Sequence, residues 1–355
     1  LNMSFSPQIG GGMLPLGQIT DMASGDFNND SNSDIVIISS SNNTTGVGTA
    51  ISYVSWNATS GLTNTTWTST CDNATYSDVA DLNNDSFDDV ATFSLADDLA
   101  CIHVTNATTG LPGPALEVKL YGNTRAAGFA DFTTDGYADI ISIHPSGKLS
   151  LRKFTNKTNT FGNNITSTIY GDNGLSVLNL SQMFLGSIKA GLNISAVVID
   201  NTGYAVEIKW HSNSIYTTTN DVDGIGLNAI TGDIDNDGDM DFISERAQGG
   251  SSITKMEMSG SWDNDNSNRN VNLINATIAD HDGDGNNSLM MVTPGISDGN
   301  QSTVEGEIGY KDIYYQSGSW GNRGWRVTSS ASHPSTYPWS NPRDIILEDM
   351  DGDGL

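Results

Sequence analysis

The 355-residue sequence carries 42 Asp and Glu against 15 Lys and Arg, a formal net charge of -27, and this balance opposes binding to nucleic acid or to an anionic membrane surface. Its longest apolar runs, such as Ile35 to Ile38, are strand-sized and fall far short of the roughly 18 residues that a membrane-spanning helix needs. The chain begins at Leu1 with neither an initiator Met nor a signal-peptide pattern, which fits a mature secreted protein whose leader has been removed and equally a piece of a longer chain.

Residues 1–17 form an N-terminal segment in which Leu1 to Ser6 are expected to lend a clasp strand to the last repeat. From residue 18 onward one pattern recurs. A short strand, Ile19 to Gly25, leads into a nine-residue loop with oxygen-bearing side chains at positions 1, 3, 5 and 9, namely Asp26, Asn28, Asp30 and Asp34, with Asn32 at position 7. An apolar run, Ile35 to Ser39, follows. The loop returns as Asp81, Asn83, Asp85, Phe87 and Asp89, and again as Asp131, Thr133, Asp135, Tyr137 and Asp139. Its fullest copy is Asp233, Asp235, Asp237, Asp239 and Asp241, with Gly238 at the sharp turn. Asp280, Asp282, Asp284 and Asn286 make a further copy, and Asp349, Asp351 and Asp353 start the last. Carboxylates at alternate positions repel one another unless a cation lies between them, and an all-oxygen cage suits Ca²⁺. Five to six Ca²⁺ ions are expected as the cofactor.

The gap between Asp131 and Asp233 is about twice the others, and Leu185 to Ile199 fills the missing frame with Ser187, Lys189, Gly191 and Ser195 in place of ligands. There the Lys189 ammonium is expected to supply the charge that Ca²⁺ supplies elsewhere. Seven units result, near 18–70, 75–121, 124–171, 181–218, 227–272, 273–328 and a truncated 341–355, with a period of about 54 residues typical of propellers and other arrays. After each loop comes a run that is apolar on consecutive residues, as in strands covered on both faces. Third strands follow at Ala50 to Trp56, Leu99 to Thr105, Lys148 to Phe154, Tyr204 to Trp210, Ile253 to Met258 and Asp312 to Tyr315, with more polar fourth strands in several units. The expected fold is all-β, a seven-bladed β-propeller of four-stranded antiparallel blades whose seventh blade is incomplete.

Cys71 and Cys101 are 30 residues apart and, in an oxidising compartment, are expected to pair. Asn-x-Ser/Thr sequons occur about twice as often as the roughly 8 that composition gives by chance. Of those outside the metal loops, Asn42, Asn43, Asn57, Asn64, Asn73, Asn106, Asn156, Asn164, Asn179, Asn193, Asn275 and Asn300 are the expected N-glycan sites of an extracellular, cell-surface protein.

With Gly25-Asp26-Phe27-Asn28-Asn29-Asp30, Asp233 to Asp241 and Asp280 to Asp284 in view, the repeat resembles the FG-GAP or integrin-α-type propeller unit. That resemblance implies Ca²⁺ in the loops and a seven-bladed disc; it names no ligand, because the fold hosts many functions. Three features depart from the pattern: Ser31 and Ser86 stand at position 6, Thr133 replaces a carboxylate, and Ser288 stands at position 9 of the sixth loop. An EF-hand would need Glu at position 12 and flanking helices, whereas Ile37, Thr92, Ser142 and Ser244 lie there in strand-like runs.

No H-E-x-x-H, nucleophile elbow or phosphate-cradling loop is present. Asp97 with Asp98, or Asp221 with Asp223, could serve as acid and base, and Trp320, Trp325, Tyr337 and Trp339 are the best lectin-type aromatics. The expected function is therefore a calcium-stabilised adhesion or binding module without enzymatic activity, or a subunit of an extracellular filament. Its expected partners are a protein or glycan at the cell surface and further copies of itself through the incomplete blade. The alternative is a polysaccharide lyase or other glycan-processing enzyme, or a lectin. The two differ in whether acid, base or Tyr groups converge at the central channel.

Overall fold

The computed structural model describes residues 19–40, 49–57, 61–69, 71–156, 160–170, 176–186, 194–222, 225–238, 240–246, 252–258, 262–268, 276–280, 285–294, 308–316 and 319–327. Among them are no helices and six four-stranded antiparallel sheets. The first sheet is β1 (Ile19–Gly25), β2 (Asp34–Ser40), β3 (Thr49–Asn57) and β4 (Gly61–Ser69). The second is β5 (Tyr76–Ala80), β6 (Asp89–Ser94), β7 (Leu99–Asn106) and β8 (Leu111–Lys119). In the third, β9 (Ala126–Ala130), β10 (Asp139–His144) and β11 (Lys148–Arg152) are followed by a small hairpin, β12 (Phe154–Thr155) and β13 (Thr160–Phe161), before β14 (Ile165–Thr168) closes the sheet. The fourth runs β15 (Leu180–Gly186), β16 (Ser195–Asp200), β17 (Ala205–His211) and β18 (Ser214–Val222). The fifth is β19 (Ile225–Gly232), β20 (Asp241–Arg246), β21 (Ser252–Met258) and β22 (Trp262–Asn268), and the sixth is β23 (Ala276–Ala279), β24 (Ser288–Pro294), β25 (Ile308–Gln316) and β26 (Ser319–Val327).

Within each sheet the strands pair in sequence order, as consecutive hairpins do. The first strands adjoin from sheet to sheet: β1 lies against β5, β5 against β9, β9 against β15, and β19 against β23. The arrangement is propeller-like, with the first strand of each sheet innermost. Residues 341–355, the expected seventh repeat, and the expected clasp at 1–6 lie outside the described residues.

The core sits between neighbouring sheets. Phe93, Ile102 and Val118 of the second sheet pack against Phe129 and Ile140 of the third and Phe154 of the β12–β13 hairpin, and Ile141, Ile143 and Leu149 of the third pack against Val198, Val206 and Ile208 of the fourth. Ile140 thus faces one way and Ile141 the other, because successive strand residues point to opposite faces. This is why the second strands read as unbroken apolar runs, and every residue of β6 and β10 is buried. Cys71 and Cys101 are bonded, with Cα atoms 6.2 Å apart, fastening the segment that enters β5 to the third strand of its own sheet. Closing a loop of 30 residues contributes about 3–4 kcal/mol on the chain-entropy account.

Register fixes the repeat frame. The residue just before position 1 of the loop pairs with position 9 in all six sheets: Gly25 with Asp34, Ala80 with Asp89, Ala130 with Asp139, Gly186 with Ser195, Gly232 with Asp241, and Ala279 with Ser288. The fourth sheet keeps this frame although its loop lacks the carboxylates.

Candidate functional site

The acidic loops join the first and second strands of their sheets and share one backbone shape. Position 4 takes a left-handed conformation at Asn29 (φ 56°), Asn84 (59°), Thr134 (56°) and Asn236 (60°). Position 6 does so at Ser31 (69°), Ser86 (71°), Gly136 (88°), Gly238 (89°) and Gly285 (82°), so the serines that depart from the glycine pattern make the same turn. The first carboxylate holds that turn. Asp26 accepts the amides of Asp30 (3.1 Å) and Ser31 (2.9 Å), Asp81 those of Asp85 (3.1 Å) and Ser86 (2.8 Å), and Asp131 those of Asp135 (3.0 Å) and Gly136 (2.9 Å). Asp233 accepts Asp237 (3.1 Å) and Gly238 (3.0 Å), and Asp280 accepts Gly285 (2.7 Å).

Position 9 is buried at Asp34, Asp89, Asp139 and Asp241. Asp89 accepts the amides of Leu82 (2.9 Å) and Thr105 (2.7 Å), tying the loop to the third strand. Asp139 does the same with Thr133 (3.0 Å) and Phe154 (3.2 Å), and Asp34 accepts the Tyr53 hydroxyl at 2.8 Å. Burial pushes these carboxyls up, Asp34 to about 6 and Asp89 and Asp139 to about 7, with the neighbouring loop carboxylates adding to the rise.

The loop oxygens fit a hard cation. Asn28 Oδ1 and Asn83 Oδ1, both at position 3, are buried and accept no hydrogen bond, a state that costs free energy unless another partner is supplied. In the fifth loop one carboxylate oxygen from each of Asp233, Asp235 and Asp237 lies within 4.8 Å of the others. Asn32, Phe87 and Tyr137 follow at position 7, where Asn32 N–H and Phe87 N–H donate to Asp30 and Asp85. Asn286 is half-buried beside the buried Ser288. Asp239, Asp282, Asp284, Asp349, Asp351 and Asp353 lie outside the described residues.

In the fourth sheet Ser187, Lys189 and Gly191 also lie outside the described residues, but Ser195 does not. Its hydroxyl meets Glu207 Oε1 at 3.0 Å, and Lys209 Nζ meets the same oxygen at 2.7 Å. Glu207 is fully buried on the third strand, so the carboxylate missing from position 9 has moved across the sheet together with its own ammonium. The sequence pattern, read along the loop alone, misses this pair. It also misses the apolar anchor at position 2, where Phe27, Leu82, Phe132 and Ile234 are all 0% exposed.

Other sequence candidates are structural. Asp98 accepts the amides of Asn123 (2.9 Å) and Thr124 (2.8 Å), which hold its carboxyl below the usual range despite partial burial, and Asp97 accepts the Ser94 hydroxyl at 2.6 Å. Asp221 pairs within a hairpin, while Asp223, Tyr337 and Trp339 lie outside the described residues. Trp320 and Trp325 lie on β26. Of the expected glycan sites, Asn73, Asn106, Asn156 and Asn179 are exposed and Asn164 is half-buried. Asn57 and Asn64 lie on β3 and β4, and Asn42, Asn43, Asn193, Asn275 and Asn300 are outside the described residues.

Acid and phenol groups do converge, at a place the sequence does not mark. A cavity of about 430 Å³ runs along the inner strands, walled by Tyr76, Asp78 and Ala80 of β5, Phe129 of β9, Met183 and Leu185 of β15, and Thr231 of β19, with Asp131 at one end. Asp78 accepts the Val79 amide (2.9 Å) and reaches across to the Phe129 amide of the next sheet (2.8 Å). Burial raises its carboxyl to about 6 against these two hydrogen bonds, and Asp21 adds to the rise. Asp21 itself crosses from β1 to accept the amide and hydroxyl of Ser77, the latter at 2.8 Å. The charge of Asp78 pushes the Tyr76 phenol well above its ordinary value, although the residue is 38% exposed, so it stays protonated.

No protein-family profile matches the sequence, and no curated protein matches it. The fold has solved counterparts. A candidate 6-phosphogluconolactonase from Bacteroides fragilis superposes with a TM-score of 0.56 at 9% identity, covering 86% of this chain and 82% of that one. A second, from Bacteroides uniformis, superposes with a TM-score of 0.56 at 12% identity, covering 86% and 83%. At such identities the likeness is one of fold. Together with the acid–phenol pair at the inner strands, it overturns the expectation of a non-enzymatic adhesion module or filament subunit. The similar structures are described as candidate 6-phosphogluconolactonases.

Proposed function

We propose that the protein is a carbohydrate-processing enzyme, a hydrolase that opens a sugar-derived ring ester in the inner cavity. The observation that carries this reading is Asp78 and Tyr76 lining one concave cavity where the first strands of four sheets meet, with Phe129, Met183 and Leu185 set beside them. Small-molecule sites place a few such polar groups in a concave wall among apolar side chains. A carboxyl that titrates near 6 is mostly ionised at neutral pH and is well matched to general-base work. In the proposed step water adds to the ester carbonyl and gives a proton to Asp78. The carbonyl-to-ring-oxygen bond then breaks, and the departing oxygen takes that proton back. The Tyr76 hydroxyl donates to the carbonyl oxygen as charge develops on it. Turnover of a panel of sugar lactones and glycans tests the reading: Asp78→Asn should lower kcat by about 10²–10⁴-fold, with circular dichroism unchanged. An Asp78→Asn variant as active as the parent would sink it. In the parent, kcat/KM should rise with pH through about 6, as the base ionises.

The scaffold in this reading is a seven-bladed propeller of FG-GAP type with Ca²⁺ in its loops. Asp26, Asn28, Asp30 and Asp34, and their counterparts in the second, third and fifth loops, would hold the ion, which staples the hairpin and takes no part in the chemistry. The buried Asn28 and Asn83 oxygens support it. The bonded Cys71 and Cys101 and the exposed sequons at Asn73, Asn106 and Asn156 support an extracellular location.

A further inference from the structure

We infer that the substrate of this cavity is an uncharged sugar and not a phosphorylated one. The inference rests on the hydrolase reading and concerns which sugar that site admits. The described lining carries two carboxylates, Asp78 and Asp131, and no Lys, Arg or His. A phosphate group bears close to two negative charges at neutral pH, and sites that hold one supply a guanidinium, an ammonium or a fan of free amides. Here the amides of Val79 and Phe129 are already given to Asp78.

Three lysines are engaged outside the lining. Lys153 lies 3.1 Å from Asp135 and over the Trp210 ring, Lys209 is bound to Glu207, and Lys148 lies over the Tyr121 ring. Arg125 precedes β9 but is exposed and is not part of the lining. A divalent ion in the third loop, with Lys153 beside Asp135, would only balance Asp131, Asp135 and Asp139 and leave no net positive charge to hold a phosphate. The field of the whole chain points the same way, at a net charge of -27, and repels an anion during approach.

The same walls suit a neutral sugar. The Thr231 hydroxyl can share hydrogen bonds with sugar hydroxyls, while Tyr76, Phe129 and Met183 offer apolar faces to ring C–H groups.

Steady-state hydrolysis of a matched pair, glucono-δ-lactone and its 6-phosphate, tests this with the purified calcium-loaded chain. The neutral lactone should be favoured in kcat/KM by roughly tenfold or more at low salt, with the gap narrowing as salt screens the repulsion. Equal or faster turnover of the phosphorylated lactone would overturn the inference and leave the hydrolase reading standing. If neither lactone is hydrolysed above the rate of Asp78→Asn, and saturation-transfer NMR detects neither bound, the hydrolase reading falls and the inference falls with it.

Discussion

Ser86 sits at φ 71° in a loop whose counterparts carry Gly136 at 88° and Gly238 at 89°. A side chain with a Cβ loses roughly 1–2 kcal/mol in that left-handed region, while glycine loses about 0.5–1 kcal/mol more chain entropy on folding. The first effect is the larger, so Ser86→Gly should stabilise the protein by roughly 0.5–1 kcal/mol, read as a higher urea midpoint at unchanged slope. A lower midpoint would show that the Ser86 hydroxyl does more than the turn requires. Position 6 was legible as a turn because three of its five described copies are glycine. Asp78 was not legible, because a single Asp three residues ahead of a metal loop has no spacing to set it apart. Only the pairing of β5 with the neighbouring inner strands turns it toward Phe129 and the cavity.

At the scale of the strand pair, the residue before each loop is Gly or Ala because the next sheet packs onto it. A Cβ on Gly25 would lie 2.5 Å from Val79 Cγ1 and 2.8 Å from Asp88 Oδ2, and one on Gly232 would lie 2.8 Å from Ile278 Cβ. Asp88 also accepts the Asp26 amide at 2.8 Å, so successive loops are bonded as well as packed. Gly25→Ala should therefore cost about 1–3 kcal/mol through overpacking, seen as a lower melting temperature, whereas Ala80→Gly should cost far less. Equal effects from the two would refute this account of the contact. The hairpin repeat itself was readable, since alternate acidic residues followed by an unbroken apolar run need a loop and a strand covered on both faces. The fourth strands β4, β18 and β22 were not readable. Gly61–Ser69 and Trp262–Asn268 are polar nearly throughout, and a strand at the sheet edge need not alternate.

For the molecule as a whole, the loop carboxylates set how stability depends on pH, and the proposed calcium sites predict how it responds to chelator. Asp34, Asp89 and Asp139 have folded-state values raised to about 6, 7 and 7, above the roughly 3.9 of an unfolded chain. A group shifted upward favours the folded state in its protonated form. Its contribution is complete below the unfolded value and is lost as pH rises through the folded one. In chelator, then, the melting temperature should fall between about pH 4 and pH 7, as three buried carboxylates ionise with no cation beside them and the net charge grows. Calcium in the proposed sites would reverse the sign, because it would bind the ionised oxygens and only in the native loop, adding stability by mass action. With millimolar Ca²⁺ the same scan should be flat or rising, and the two curves should part most widely above pH 7. Differential scanning calorimetry across pH 4–8, with and without EDTA, measures both curves. Superimposable curves would remove calcium from the loops and leave Asn28 and Asn83 with buried oxygens that nothing explains.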